Sequence, residues 1–386
     1  MDSLIVFSHL RWDFVYQRPQ HLLSRLARHW RILYVEEPVF DAGDPWPEMR
    51  APLTGVTVLR PHTPLTAPGF HDDQIPLLSK LVGQAVEREK LGRYGVWLYT
   101  PMALPLLQKL QPHVLIYDCM DELSGFRHAP RQLVQRENAL LKIANVVFTG
   151  GPSLHEARRH RHPSVHLFPS SVDRPHFARA LDGQIAAPEV RAMPRPRLGY
   201  FGVIDERLDA ALLAAVASLR PEWQLCMVGP TAKVDVTSLP HAPNVHWLGQ
   251  RSYAELPSFL AGWDVCMLPF AHNEATRYIS PTKTLEYLAA GKPVISTPIH
   301  DVVRPYGEEG LVRIARTADE LVREVDAALA ERDTAAFANR RASCDAWVAR
   351  TSWDRTWSHM RSLIHDALGQ RSDDETDTQE TPCSTI

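Results

Sequence analysis

The sequence predicts an α/β protein built from two doubly wound, Rossmann-like parallel-sheet domains that face a central cleft. Three observations carry this. Short β-branched or aromatic runs alternate with helical segments through most of the chain, the pattern of parallel sheets covered on both faces. The alternation stops in a proline-rich stretch at 182–197 and then restarts. At 386 residues the chain is also too long for one ordinary domain.

In the first half, residues 4–8, 32–38, 56–61, 96–100, 114–122, 146–150 and 165–169 read as strands. Helices are expected at 18–29, with Leu22, Leu23 and Leu26 turned inward, and at 77–91, 104–110 and 130–143. Residues 41–70 are rich in Gly and Pro and read as loop around the single strand 56–61. After the break, strands are expected at 197–202, 224–229, 245–249, 265–270, 293–297 and 311–315, with helices between most of them. A single helical stretch at 333–368 follows. The expected division is therefore 1–181, a linker at 182–197, 198–345, a helix at 346–369 returning to the first domain, and a disordered acidic tail at 370–386.

Composition narrows the function. A hydrophobic content of 45% and a charged content of 23% belong to a soluble globular chain. A formal net charge of -3 argues against nucleic acid as a partner. No apolar run approaches a membrane span, and the N-terminus reads as a first strand, so a cytoplasmic location is expected. Five scattered cysteines without a CxxC pair indicate neither a disulfide framework nor a zinc site. The basic run 155–163 is expected to be a solvated helix face, with peripheral contact to anionic lipid as the alternative.

The stretch Ser280 to Val294 is the best candidate site. Ser280 as N-cap, Pro281 at the first helical position and Gly291 with Pro293 as the stop predict a short helix running into a buried strand. Lys283 and Glu286 then share a face near its start, where an ammonium, backbone N–H groups and the helix dipole suit a phosphate. Glu286 is placed to accept from vicinal hydroxyls. An ordinary exposed Lys/Glu pair is the equally weighted alternative. Gly202, Gly229 and Gly249 end predicted strands on one rim, and a strand-end glycine lets a ligand approach the backbone. Arg207 lies just beyond Gly202, as a diphosphate clamp or as a solvated helix-end arginine. In the first half, the loop 9–21 is rich in His, Arg and aromatics and ends at His21. Asp118 and Asp121 sit where a strand exits toward the cleft, suited to acid–base work, to orienting a sugar hydroxyl, or to capping a turn.

SPTKTLEYLAAGKPV (280–294), FPSSVDRPHF (168–177), the GYFGVID restart and the two-domain plan resemble GT-B glycosyltransferases of the GT4-like, group 1 type, over the chain up to about residue 368. The opening FSHLRWDFVYQRPQHLLSRLA and YDCMDELSGF are similar to a bacterial subgroup that builds cell-surface polysaccharides. The resemblance implies a nucleoside-diphosphate sugar donor, uridine-linked by family habit, and a glycan or lipid-linked acceptor. It also implies retention at the anomeric carbon and neither metal nor cofactor. Glu286 matches the ribose-binding second glutamate of the family's E-x7-E motif, and Lys283 with Arg207 resembles the pair that neutralises the diphosphate. Ser280, Thr282, Gly202 and Gly229 fall on the same donor side and Asp121 on the catalytic side, while His21, from the loop reading, is either a second catalytic candidate or an ordinary surface residue. The motif's first glutamate falls at Tyr278, so it is missing, and Glu274 is off register. Two other readings remain open: a sugar-nucleotide epimerase of the same shape, and a non-catalytic binding or assembly protein.

Overall fold

A computed structural model describes residues 1–377, and within them fifteen strands form two sheets. The first comprises β1 (Ser3–Ser8), β2 (Arg31–Glu36), β3 (Val39–Phe40), β4 (Trp46–Leu53), β5 (Val56–Thr63), β6 (Tyr94–Leu98), β7 (Leu115–Cys119), β8 (Val146–Thr149) and β9 (Val165–Leu167), in the order β3-β5-β2-β1-β6-β7-β8-β9 with β4 antiparallel on β5. The second comprises β10 (Arg197–Phe201), β11 (Gln224–Val228), β12 (Val245–Trp247), β13 (Val265–Leu268), β14 (Val294–Ser296) and β15 (Arg313–Ile314), all parallel, in the order β12-β11-β10-β13-β14-β15. In each sheet the winding reverses beside the first strand, at β1/β6 and at β10/β13. Connections diverge there, leaving a crevice at the strand C-termini. The architecture is GT-B, with the two crevices facing each other.

Alternation along the strands builds the cores. In β1, Ile5 and Phe7 enter one cluster, with Leu78, Val82 and Leu140, while Leu4 and Val6 enter another on the opposite face. Leu22, Leu23 and Leu26 of the helix Arg18–Leu26 fill that second cluster, as their spacing predicts. The last helix, Trp353–Asp377, crosses back to the same face and buries Trp353, Met360, Ile364 and Ala367 there. Burying Met360 and Ile364 contributes roughly 1.5–3 kcal/mol each, which holds this helix to the first sheet.

Several expectations are corrected. The stretch containing Pro47 and Pro52, expected to be loop, is β4, an edge strand, where proline's missing donor is tolerated. The stretch 333–368 is two helices, Ala335–Val348 and Trp353–Asp377, separated at 349–352. Residues 182–197 are no free linker: Ala186, Ala187 and Val190 are buried in the second core, and Arg197 opens β10. Residues 370–377, expected to be disordered, continue the last helix, and the remainder of that stretch lies outside the described residues. The basic run is also not a bare positive face. Arg158 is buried against Glu137 and Glu122, Arg159 pairs with Glu156, and Arg161 pairs with Glu137. No helix among the described residues is long and apolar enough to cross a membrane.

Candidate active site

Where the two crevices meet, a cavity of about 170 Å³ is lined from both sides. The first domain supplies Tyr16, Gln17, Arg18, Met120, Asp121 and Ser170. The second supplies the ends of β10 and β11, with Gly202, Arg207 and Gly229, and the segment Ser280–Lys283 with Glu286. The structure thus brings together all seven donor-side candidates and Asp121.

Glycine makes the cavity possible at two positions. Gly202 has φ +142°, and a Cβ there would stand 2.0 Å from Lys283 Cε. Gly229 has φ +145°, and its Cβ would stand 1.9 Å from the Gly202 carbonyl oxygen. Two strand ends without side chains therefore let the Lys283 stem lie against the backbone. Its ammonium stands 5.6 Å from the Tyr200 ring centroid and 6.0 Å from that of Phe270, both faces favourable to a cation. No carboxylate among the described residues makes an ion pair with it. Burial, and next Arg207, depress the Lys283 pKa, whereas burial raises that of Glu286. The half-buried ammonium has no carboxylate within ion-pair distance, only Glu286, Asp205 and Asp121 within electrostatic reach, so its donors are free for an anion. Near Glu286, Tyr253 lines the cavity, and its hydroxyl is buried with no partner among the described residues.

Arg207 is held by its neighbour Asp205, with Nε 3.0 Å from Oδ1 and Nη2 2.6 Å from Oδ2, and its guanidinium lies 5.3 Å from the Phe126 ring of the first domain. Asp121 faces this group. Burial raises its carboxyl pKa, opposed chiefly by Arg207. Asp118 is different. Arg18 donates to it from Nε at 3.0 Å and from Nη2 at 2.9 Å, and both side chains are buried. That pair fixes the start of the helix Arg18–Leu26 to β7 and leaves Asp118 no role as a free acid.

The structure places other candidates elsewhere. His21 does not line the cavity. It stacks on Trp353 at 4.5 Å and 8° and meets Tyr16 and Tyr253 edge-on, and burial pushes its pKa down to about 3. It is a neutral packing residue behind the wall. Ser280 is not an N-cap: the helix spans Lys283–Ala289 with Thr282 before it, and the Thr282 hydroxyl donates to Ser170 Oγ at 3.0 Å. At seven residues the helix is short, so the positive charge comes from Lys283 and Arg207 rather than a dipole. Tyr278 packs against the core of the first domain, and Glu274 is exposed on a segment backed by Gly125, where a Cβ would stand 2.7 Å from the Glu274 carbonyl. Gly249 supports the rim indirectly, accepting from the Gly229 N–H at 2.8 Å. Sequence reasoning missed Tyr200, Tyr253, Phe270 and Arg18. Alternation in GYFG turns Tyr200 opposite to Phe201, a readable signal, but the approach of Tyr253 is tertiary.

Residues 195–331, the unit that carries Gly202, Arg207, Lys283 and Glu286, match the family described as "Glycosyl transferases group 1". This part of the second domain is similar to a group 1 glycosyltransferase domain. The putative teichuronic acid biosynthesis glycosyltransferase TuaH of Bacillus subtilis (strain 168) is 28% identical over 246 residues, covering 58% of this chain and 59% of that protein. The aligned part is thus under two thirds of TuaH. Among solved structures, sucrose-phosphate synthase from Thermosynechococcus elongatus superposes with TM-score 0.71 at 17% identity, over 96% of this chain and 100% of that one. Anabaena HepE in complex with UDP gives 0.63 at 15% identity, over 95% and 100%. An E. coli trehalose-6-phosphate protein bound with UDP-2-fluoro glucose gives 0.66 at 12% identity, over 95% and 99%. These likenesses share the GT-B fold. Within it, the second domain presents Lys283, Arg207 and Glu286 to the cleft, and the first domain presents Asp121.

Proposed function

We propose that the protein transfers a sugar from a uridine-diphosphate sugar to a glycan or lipid-linked acceptor, with retention at the anomeric carbon and without a bound metal. The observation that carries this reading is the half-buried Lys283 ammonium beside Arg207, without an ion-pair partner among the described residues, in a cavity opened by Gly202 and Gly229. In such a transfer the bond from the anomeric carbon to the diphosphate breaks, the acceptor oxygen bonds to that carbon, and the acceptor proton leaves with the diphosphate. Negative charge builds on the departing phosphate. Lys283 and Arg207 sit where preorganised cations stabilise it, and removing one such donor typically costs about 3 kcal/mol, or a hundredfold in rate. Glu286, with the unpartnered Tyr253 hydroxyl near it, suits ribose hydroxyls. Asp121 suits the sugar end. The uridine assignment draws support from HepE in complex with UDP, and the acceptor class from the name of TuaH. A lipid-linked acceptor would bring the protein to the cytoplasmic face of a membrane.

Calorimetric titration with UDP, GDP and ADP tests this. Micromolar UDP binding, weakened at least tenfold by Lys283→Ala and by Glu286→Ala, is expected. No nucleotide binding, or substitutions without effect in folded protein, would overturn it. One observation favours a second reading: Tyr278, where the family has a carboxylate, is spent on interdomain packing. A nucleotide-binding protein without turnover would bind UDP yet release none from a UDP-sugar panel in any acceptor's presence.

A further inference from the structure

Outside the lining of the donor cavity, side chains of both domains form a second group that the donor site does not use. We propose that His9, Glu37 and Lys233 form a subsite for the acceptor, and that it takes the hydroxyls of an uncharged terminal sugar rather than an anionic group. The proposal rests on the glycosyltransferase reading above.

Placement is the first argument. His9 directly follows β1 and Glu37 directly follows β2, so adjacent central strands deliver both to the C-terminal rim that faces the second domain. Lys233 comes from that second domain, on the loop that leaves β11 through Gly229 and Pro230, both in the cavity wall. The loop is pinned: Ile204 N–H donates to the Pro230 carbonyl at 2.9 Å, and Ala232 N–H donates to the Ile204 carbonyl at 2.9 Å. Lys233 lies within electrostatic reach of both His9 and Glu37.

Unused hydrogen-bonding capacity is the second. His9 Nδ1 is buried with no partner among the described residues. The Glu37 carboxylate makes no hydrogen bond or ion pair among them either. Arg11, the nearest guanidinium, is already committed to the Glu36 carboxylate and to the Glu37 and Pro38 carbonyls. A slot is kept for the Glu37 carboxylate by Gly69, whose φ is +59° and whose Cβ would stand 2.6 Å from Oε1. Buried polar groups are ordinarily satisfied, so His9 Nδ1 asks for an explanation, while the half-buried Glu37 carboxylate beside it is open to a ligand.

The mix of groups selects the ligand. An imidazole nitrogen and a carboxylate accept hydrogen bonds, and an ammonium donates them, a set matched by vicinal hydroxyls that do both. Burial and Lys233 hold His9 neutral, and burial raises Glu37 to about 7. A sugar carboxylate or phosphate placed here would meet Glu37, whereas the donor-side pair Lys283 and Arg207 is the place for an anion.

The test uses the full chain carrying UDP and saturation-transfer NMR with the methyl glycosides of glucose, galactose, N-acetylglucosamine and glucuronic acid. At least one neutral glycoside is expected to receive saturation from the wild type. That signal should fall at least fivefold in Glu37→Gln and in Lys233→Ala, while calorimetric UDP affinity stays within twofold. Three outcomes would overturn the proposal: no neutral glycoside responding, an unchanged signal in Glu37→Gln, or a response from the glucuronide alone. The last would assign the subsite to an anionic acceptor. Failure of the wild type to bind UDP would be a failure of the donor-site reading, and the same titration without UDP separates the two.

Discussion

Replacing Gly202 with alanine would test the link between backbone conformation and the donor-site lysine. The new Cβ would stand 2.0 Å from Lys283 Cε and 2.6 Å from Nζ, and φ of +142° is strained for any L side chain. Strain of this kind costs about 1–3 kcal/mol in the folded state. The displaced ammonium would forfeit roughly 3 kcal/mol of interaction with the diphosphate, which is about a hundredfold in affinity or rate. Thermal melting and UDP calorimetry on Gly202→Ala, Lys283→Ala and the double variant separate the two effects. The melt should fall in both variants that carry the glycine substitution. The affinity losses should not add: the double variant should bind UDP within about threefold of Lys283→Ala, because the lysine is the group the added methyl overlaps most, with the Tyr200 hydroxyl next at 3.0 Å. A Gly202→Ala protein that binds UDP like the wild type, or losses that multiply, would refute the reasoning.

Arg18→Ala would leave the buried Asp118 carboxylate unpaired, and about 3–5 kcal/mol of stability should be lost in urea unfolding, part of it recovered by adding Asp118→Asn. His21→Ala should remove the stack on Trp353 and lower stability by roughly 1–3 kcal/mol, while UDP affinity measured by calorimetry stays unchanged. Lys283 offers a pH signature. Its folded pKa lies below the ordinary 10.5, so between the two values the folded protein holds fewer protons than the unfolded chain. Stability therefore rises with pH across that alkaline window, and the cost of the half-buried ammonium is fully present below it. A bound diphosphate restores the charge, so UDP binding should take up protons at pH 8.5 more than at pH 6.5, read from binding enthalpies in buffers of different ionisation enthalpy.

What was legible in the sequence was whatever a local pattern fixes. The short apolar runs LIVFS and QLCMV, each bounded by turn residues, became central strands, and the glycines after β10 and β11 became the cavity floor. Lys283 and Glu286, three residues apart, share the cavity wall as helical geometry requires. The failures were tertiary. Nothing local says that His21 meets Trp353, more than three hundred residues later, and is thereby sealed from the cleft. Nothing near Asp118 announces Arg18 as its partner, one hundred residues earlier. Pro47 and Pro52 hid β4 because proline rules out a central strand but not an edge. The Ser280 cap failed more narrowly. Pro281 and Thr282 form a turn ahead of the helix, and the Thr282 hydroxyl is drawn to Ser170 of the facing wall.

The returning C-terminal helix also fixes an order of events during synthesis. The face of the first sheet that it covers, with Trp97, Ile116 and Phe148, is finished only when Trp353, Met360 and Ile364 arrive. The last strand of that sheet ends at Leu167, so about 190 residues separate it from its cover. At roughly 5–20 residues per second, translation leaves that apolar face open for about 10–40 seconds. The second domain is made during this interval. A nascent chain therefore carries one half-clad domain through about half of its time on the ribosome, and a chain broken off before Trp353 would keep a sticky face permanently.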